Sequence, residues 1–299
     1  MTTLGATAFE VARRVCLSCG YGTTAVTSSL RGRERFDQCG KANRAMYFEG
    51  VIFDMDGVVT KTADVHAAAW KVAFEELLRG EAQTHGAPFR EFSMGDYLAH
   101  VDGRPRYEGV AAFLRSRDLS LPFGVQGDTT DCKTVCGLGN RKDQLLMAEI
   151  EVRGVPVFDS TIQLIESLRR EGVKVGLATS SRNCELILRK AGIAGLFDAR
   201  IDGVISENLG LRGKPEPDLF RATCEMLDAK PSRVMIVEDS ATGVAAGASG
   251  RFGLILGVAR ADNREELQRS GADLVVHDLS EVSIEAVNEW FRGRVDRAI

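Results

Sequence analysis

The chain has 299 residues, 44% of them hydrophobic and 27% charged, so it is long and apolar enough to bury a substantial core. The formal net charge is −4, and the acidic main body has no long basic stripe, which disfavours nucleic acid as the main partner. Charge or glycine interrupts every apolar run well before the roughly 20 residues that a transmembrane helix needs, so we expect no membrane span.

Residues 1–48 differ in composition from the rest of the chain. They carry seven Lys and Arg against three acidic residues, a net charge of +4 that leaves −8 on the remainder. The segment is rich in Ser, Thr and Gly and has neither helical nor strand periodicity, so we interpret it as a disordered or targeting extension. The predicted location is cytoplasmic, or organellar if the extension is a transit peptide.

The seven cysteines are odd in number and follow no secretory signal, which favours a reducing compartment. Cys16 and Cys19 have the spacing of a zinc knuckle, but no second pair of ligands lies nearby, so we expect no metal there. Cys132 and Cys136 lie in a Gly-rich segment, and the sequence assigns them no role.

The first sign of a sheet is a short apolar run at 51–53, followed by Asp-x-Asp-Gly. Runs of the same kind recur at 173–178, 234–237, 252–257 and 274–276, each separated from the next by a helix-length segment. Continuous apolar runs are typical of strands that are buried on both faces. The sequence therefore predicts an α/β fold with a Rossmann-like, doubly wound parallel sheet.

One interval is too long for this alternation. The chain spends more than a hundred residues between Asp56 and Val173, whereas a strand-helix-strand crossover needs about 30. The surplus predicts an inserted helical cap domain over 64–155, with the core formed by 49–63 and 156–299. Within the cap we expect amphipathic helices at 64–79, 107–117 and 141–152, and a Gly-rich loop at 124–140.

Two pairs of acidic residues follow apolar runs of the predicted sheet. Asp54 and Asp56 come after the run 51–53, and Glu238 and Asp239 come after the run 234–237. Because α/β sheets bind ligands at the carboxyl ends of their strands, we expect these carboxylates to meet. Crowded carboxylates raise one another's pKa, and a divalent cation relieves the repulsion. Hard oxygen ligands suit Mg²⁺, so we predict a magnesium site formed by these four residues.

Two further segments supply groups that suit phosphate. Lys214 stands in a stiff loop ahead of a helix whose start is marked by Pro217. Thr179 and Ser180 follow the run 173–178, and hydroxyl and backbone N–H groups at a strand-to-helix turn can cradle a phosphate. The sequence thus predicts a lysine, hydroxyl groups and carboxylates at one edge of the sheet.

This ordered set of motifs, spanning about 50–280, resembles the haloacid dehalogenase superfamily of phosphotransferases. The residues that carry the resemblance are Asp54, Asp56, Gly57, Thr179, Lys214, Glu238 and Asp239. The resemblance implies that Asp54 is the nucleophile and Asp56 the general acid and base, with Thr179 and Lys214 completing the catalytic set. It also implies that Asp54, the backbone carbonyl of Asp56 and Asp239 hold Mg²⁺, with Glu238 alongside.

The segments 62–71, 103–106, 141–143 and 179–183 resemble the β-phosphoglucomutase family within that superfamily. This resemblance implies that Arg106, Ser181 and Asn183 grip the phosphate that is not being transferred. It further implies that Lys142 and His66 line the sugar side or support the hinge and Asp56. The full predicted substrate-binding set is Thr62, His66, Trp70, Arg106, Lys142, Ser180, Ser181 and Asn183.

The implied activity is Mg²⁺-dependent phosphoryl transfer that interconverts β-glucose 1-phosphate and glucose 6-phosphate through an aspartyl-phosphate. A sugar-phosphate phosphatase stays open as an alternative, because it shares the first step and differs in how completely the closed cap excludes water. A catalytically silent binding protein is the alternative of another class, and the intact Asp54, Asp56, Lys214 and Asp239 argue against it. We predict a small phosphorylated sugar as the partner and a monomeric state.

Overall fold

A computed structural model of the protein describes residues 45–85, 89–260 and 263–295. Residues 1–44 lie outside the described residues, and with them Cys16, Cys19 and nearly all of the predicted extension. Within the described ranges, no helix combines the length and the apolar character that crossing a bilayer requires.

The core is a six-stranded parallel sheet in the order β3-β2-β1-β4-β5-β6. The strands are β1 (Gly50–Phe53), β2 (Lys174–Ala178), β3 (Ala199–Ile201), β4 (Val234–Glu238), β5 (Leu254–Val258) and β6 (Leu274–Val276). This arrangement confirms the predicted fold class. The strand order reverses direction beside β1, and α/β sheets bind ligands in the crevice at the carboxyl ends of the strands at such a point.

Helices cover the sheet and fill the long interval between β1 and β2. The helices of that interval are α1 (Ala63–His85), α2 (Met94–His100), α3 (Arg106–Ser116), α4 (Val135–Arg153) and α5 (Asp159–Arg170). The helices after β2 are α6 (Cys184–Lys190), α7 (Gly203–Asn208), α8 (Asp218–Met226), α9 (Ala241–Ser249), α10 (Arg264–Arg269) and α11 (Ile284–Val295). The exact limits of the cap, 64–155, stay a prediction.

Three elements differ from the sequence prediction. The strand β3 was missed because it has only three residues and its middle one is Arg200. The helix α2 was missed because it is short, although Ser93 and Asp96 form a capping box that marks its start. The predicted loop 124–140 was wrong in its last six residues, because Thr134 caps α4 by accepting a hydrogen bond from the Gly137 N–H at 2.9 Å.

The helices between β1 and β2 have an apolar core of their own, built around aromatic rings. Trp70 and Phe74 of α1 stack with ring centroids 5.0 Å apart, and Phe74 lies 4.1 Å from the Phe113 ring of α3. Phe92, before α2, completes the cluster at 5.0 Å from Phe113. Each buried ring contributes about 1.5–3 kcal/mol, so this packing holds these helices together.

Candidate active site

Asp54 begins the site, directly after the fully buried strand β1. Its backbone N–H donates to the Val237 carbonyl at 2.9 Å, which fixes the end of β1 beside the end of β4. Carboxylate oxygens of Asp54, Glu238 and Asp239 lie within 4.8 Å of one another. The neighbouring parallel strands therefore deliver three carboxylates to one point, as the strand ends predicted.

Lys214 is the cation of this cluster, and its side chain is only 1% exposed. Its Nζ lies 2.5 Å from Asp54 Oδ1 and 2.5 Å from Glu238 Oε1. Burial alone would lower the pKa of Lys214, but the attraction of Asp54 and Glu238 outweighs it and raises the pKa above its usual value. The ammonium therefore stays charged at neutral pH beside Asp54.

Glu238 is fully buried, and both of its oxygens have partners. One oxygen accepts from Lys214, and the other accepts from the Ser240 hydroxyl at 3.0 Å and from the backbone N–H groups of Asp239 and Ser240. This arrangement leaves Glu238 well suited to hold Lys214 in place. Of the three clustered carboxylates, Asp54 and Asp239 are the two whose residues line the cavity.

The acidic cluster fits a divalent cation. Burial raises the pKa of Asp54 well above its usual range, and Lys214 offsets only part of that effect. Burial and repulsion from Asp102 and Glu238 likewise raise the pKa of Asp239. A hard cation bound here would favour the charged form of both carboxylates.

Gly57 makes the close approach of Asp239 possible. Its φ of +85° is unfavourable for any residue with a side chain, and a Cβ added there would lie 1.8 Å from Asp239 Oδ2. The glycine of the Asp-x-Asp-Gly motif is therefore needed both for the turn and for the packing of the carboxylate.

Asp56 also lines the cavity, and hydroxyl groups hold its carboxylate. The Thr62 hydroxyl donates a hydrogen bond to Asp56 Oδ1, and the hydroxyl oxygens of Thr60 and Thr62 are 2.6 Å apart. His66 Nε2 lies 3.6 Å from the same carboxylate oxygen. Burial, and then the charge of Lys142, lower the pKa of His66 to about 4, so the ring is neutral near pH 7.

A second group of cavity-lining side chains combines cations and an amide from the cap and the sheet edge. Asp143 Oδ1 of α4 accepts from Arg106 Nη2 and from Asn183 Nδ2, each at 2.6 Å. Lys142 Nζ lies 3.1 Å from His66 Nδ1. Burial, followed by repulsion from Arg106, lowers the pKa of Lys142 to about 7.

Hydroxyl groups of the turn after β2 also line the cavity. Thr179 Oγ1 accepts from the Ser181 N–H at 3.1 Å, and Ser181 Oγ accepts from the Asn183 N–H at 3.3 Å. Ser180 Oγ donates to the carbonyl of Gly103, before α3, at 2.9 Å. The turn after β2 thus contacts the cap while it presents Thr179 to the cavity.

Most of the predicted site residues line one cavity of about 70 Å³. They are Asp54, Asp56, His66, Trp70, Arg106, Lys142, Thr179, Ser180, Ser181, Asn183, Lys214 and Asp239. Thr62 and Glu238 do not line it; they lie behind Asp56 and Lys214 and contact them. The roles assigned to all of these residues stay predictions.

The sequence interpretation missed several residues of the site. The cavity is also lined by Tyr97, Asp102, Arg182 and Ser240, and by Arg104, which the sequence marked only as an extra charge beside Arg106. Burial, and then repulsion from Glu238, raise the pKa of Asp102 to about 6. Ser240 follows the Glu238-Asp239 pair directly, so its position was a usable signal. Tyr97 lies on the missed helix α2, and no local pattern marks it.

A cavity that joins buried carboxylates and a buried lysine to a cluster of cations is suited to phosphate esters, and sequence comparison assigns it to a family. The haloacid dehalogenase-like hydrolase family model matches residues 48–251. The chain therefore belongs to this family, and it is an enzyme that acts on phosphate esters.

Two relatives and one solved structure give a finer comparison. A Mycobacterium bovis β-phosphoglucomutase is 38% identical over 235 residues, which is 77% of this chain and 90% of the relative. A Bacillus subtilis β-phosphoglucomutase is 29% identical over 255 residues, or 84% of this chain and 99% of the relative. The crystal structure of a Clostridium difficile β-phosphoglucomutase matches 83% of this chain and 99% of its own with a TM-score of 0.66; at 22% identity it supports the fold alone.

Proposed function

We propose that the protein is a Mg²⁺-dependent phosphomutase that interconverts β-glucose 1-phosphate and glucose 6-phosphate through a phosphorylated Asp54. The observation that carries the proposal is a cavity lined by two polar clusters. Asp54 and Lys214 form one cluster, which we take as the reactive end, and Arg106 and Asn183, bridged by Asp143, form the other, which we take as the distal end. A phosphomutase needs such a pair of sites, because its bisphosphate intermediate carries one phosphate at each end. The similarity to β-phosphoglucomutases over most of the chain supports this substrate.

At the reactive end, a carboxylate oxygen of Asp54 attacks phosphorus and the sugar oxygen leaves. Asp56 donates a proton to that leaving oxygen and later takes one from the sugar hydroxyl that receives the phosphate. The Lys214 ammonium offsets the repulsion between the Asp54 carboxylate and the incoming phosphate. Mg²⁺, held by Asp54, the Asp56 backbone carbonyl and Asp239, would supply further charge neutralisation at this end.

At the distal end, the phosphate that is not transferred would be bound by Arg106, Ser181 and Asn183. His66 contacts Lys142 through one ring nitrogen and lies 3.6 Å from Asp56 through the other, so this pair connects Asp56 with the cap and would contact the sugar. Because the bisphosphate must turn over between its two transfers, the distal site must accept either phosphate in turn. A small phosphorylated sugar is therefore the partner that we propose, and we keep the expectation of a monomer.

The test is an isomerisation assay on β-glucose 1-phosphate with Mg²⁺ and a trace of glucose 1,6-bisphosphate, followed by enzymatic detection of glucose 6-phosphate. Released inorganic phosphate is measured in the same samples. We expect glucose 6-phosphate to form much faster than inorganic phosphate. Steady phosphate release without isomerised product would refute the mutase.

A sugar-phosphate phosphatase is the second candidate, and the match to a family model of hydrolases favours it. Arg106→Ala separates the two, because a phosphatase needs no second phosphate site. In a mutase we expect isomerisation to fall by about tenfold to a hundredfold, the effect of losing one charge-assisted hydrogen bond. Arg115→Ala, an exposed change on the same helix α3, is the control. Equal activity of both variants would favour the phosphatase.

A further inference from the structure

An ion pair connects the wall of the catalytic cavity with the helix α7. Arg182, which lines the cavity, donates through Nη1 to Glu207 Oε2 at the end of α7. The Arg182 side chain is 28% exposed and that of Glu207 is 43% exposed. A Cβ added at Gly203, the first residue of α7, would lie 3.0 Å from Arg182 Cγ, so the stem of the arginine rests against this helix.

The second oxygen of Glu207 is bound from the cap. Gln126 Nε2, in the segment that leads to α4, donates to Glu207 Oε1. Asn140 of α4 holds the backbone of this segment, because its Nδ2 donates to the carbonyls of Gln126 at 2.9 Å and Asp128 at 2.8 Å. Tyr107 of α3 in turn donates its hydroxyl to Asn140 Oδ1 at 3.0 Å. The segment of the cap that contacts Glu207 is thus held in place by side-chain hydrogen bonds from α3 and α4.

These contacts surround a second cavity of about 230 Å³ that lies between the cap and the sheet edge. Gln126 and Glu207 line this cavity, and Arg106, Ser180 and Arg182 line both it and the catalytic cavity. The wall between the two cavities therefore contains Arg106 of the distal end and Arg182, which directly precedes Asn183 of that end. A shift of Glu207 would change the position of that wall.

We propose that Glu207 is a positioning residue that couples cap closure to substrate binding. With the cap closed, Gln126 and Arg182 bind the two oxygens of one carboxylate, which holds the Arg182 guanidinium toward the distal phosphate. With the cap open, Gln126 leaves, and Arg182 is less restrained. This inference rests on the proposed function, because it needs a substrate with a phosphate at the distal end.

Glu207→Gln separates a positioning role from a purely electrostatic one, because the two roles predict opposite changes in the affinity for a sugar phosphate. Glu207 is negative and lies near a site for an anion, so if only its charge mattered, Glu207→Gln would tighten the binding of a sugar phosphate. If Glu207 positions Arg182, the same change weakens binding. We expect the dissociation constant for glucose 6-phosphate, measured by calorimetry with Mg²⁺, to rise about fivefold, as befits a partly exposed ion pair. Unchanged or tighter binding would overturn the proposal.

Glu185→Gln is a matched control. Glu185 pairs with Arg200, and the exposures of this pair, 44% and 28%, are nearly those of Glu207 and Arg182. Neither Glu185 nor Arg200 lines the catalytic cavity. The control should leave the dissociation constant within about twofold.

A second readout distinguishes positioning from a general loss of structure. Acetyl phosphate carries a single phosphate and, with that phosphate at Asp54, has no group for the distal site. If the wild type hydrolyses it, Glu207→Gln should leave that turnover within about twofold while KM for β-glucose 1-phosphate rises. Equal losses in both reactions would indicate a structural role and overturn the proposal.

A wild-type chain that binds glucose 6-phosphate but forms none from β-glucose 1-phosphate would refute the proposed function, and the binding test of Glu207 would still apply. If the wild-type chain binds no sugar phosphate, both fail.

Gln126→Ala tests the contact between the cap and Glu207. We expect it to weaken glucose 6-phosphate binding in the same direction as Glu207→Ala, and the double variant to be no weaker than Glu207→Ala alone, because both act through one carboxylate. Gln144→Ala, an exposed change on α4, is the control. Additive effects of Gln126 and Glu207 would contradict a coupling through this carboxylate.

Discussion

At the scale of single residues, the site depends on where charge is placed and how far it is buried. Asp54 and Lys214 are 6% and 1% exposed, so their attraction acts with little screening by solvent. Lys142 is buried as well, but it faces Arg106 and a neutral His66, and its pKa falls to about 7. Two lysines of one cavity thus differ in their affinity for a proton because of the groups that face them.

Asp143 gives the first prediction at this scale. Its carboxylate accepts from Arg106 and Asn183, the groups that we propose to bind the distal phosphate. Asp143→Asn keeps an acceptor oxygen and removes a charge that opposes an incoming phosphate. We expect the inhibition constant of inorganic phosphate to fall about fivefold, in line with the interaction of two charges through water. A rise instead would mean that the charge of Asp143 is needed to hold Arg106 in place.

Lys142 gives a prediction about stability and pH. Its folded-state pKa of about 7 lies below the unfolded value, so between pH 7 and about 10 the unfolded chain binds more protons at this position. The stability cost of burying Lys142 is therefore full below pH 7 and declines as the pH rises. We expect the free energy of unfolding of the wild type, relative to Lys142→Met, to rise by up to about 1.4 kcal/mol per pH unit above pH 7. Urea unfolding at several pH values measures this difference, and parallel pH profiles would contradict it.

At the scale of elements, the turn after β1 and the end of β4 form one unit. Gly57 has a positive φ and leaves room for Asp239, which comes from β4. The site therefore depends on the fit between two strand ends more than on either strand alone.

Gly57→Ala tests this fit. We expect the variant to lose its activation by Mg²⁺, because the added methyl group displaces the Asp239 carboxylate. Gly154→Ala is the matched control: Gly154 also has a positive φ, +72°, but an added Cβ would contact nothing within 4 Å. The control should cost about 1 kcal/mol of stability and leave Mg²⁺ activation intact. Mg²⁺ titrations of the activity of both variants measure the difference, and similar titration curves would rule out the steric explanation.

At the scale of the whole molecule, repulsion within the acidic cluster lowers the stability of the folded state until a cation neutralises its charge. Three carboxylates from two strands lie within 4.8 Å of one another at the edge where the cap meets the sheet. A cation bound there stabilises the folded state alone, because the unfolded chain does not hold these carboxylates together.

Removal of Mg²⁺ should therefore lower stability as well as activity. We expect the Tm of the wild type to fall when EDTA is added, and Mg²⁺ at a hundred times its Kd to contribute about 2.7 kcal/mol. Asp239→Asn should lose most of this response, whereas Asp228→Asn, at the other end of the sheet, should keep it. Thermal denaturation with and without Mg²⁺ measures the effect. An identical response of both variants would place the stabilising Mg²⁺ elsewhere.

Much of the fold and of the reactive end followed from the sequence, because the signals are local. Continuous apolar runs specify buried strands, and parallel strands carry the residues that follow them to one edge of the sheet. That rule was enough to bring Asp54, Thr179 and Asp239 together. Short elements such as β3 and α2 escaped, because three or seven residues are too few to show a period.

The distal end was decided by tertiary structure. The bridge from Arg106 through Asp143 to Asn183 joins residues 37 and 40 positions apart, and the contact of Gln126 with Glu207 spans 81 positions. Such contacts depend on how the cap packs against the sheet edge, and no local pattern encodes that distance. The lowered pKa of Lys142 has the same origin, because it arises from burial and from charges on other elements. The sequence by itself thus determined which strand ends carry the chemistry and, through its family resemblance, named cap residues such as Arg106 and Lys142. Only the packed structure decided how these side chains contact one another, because the contacts join residues far apart in the chain.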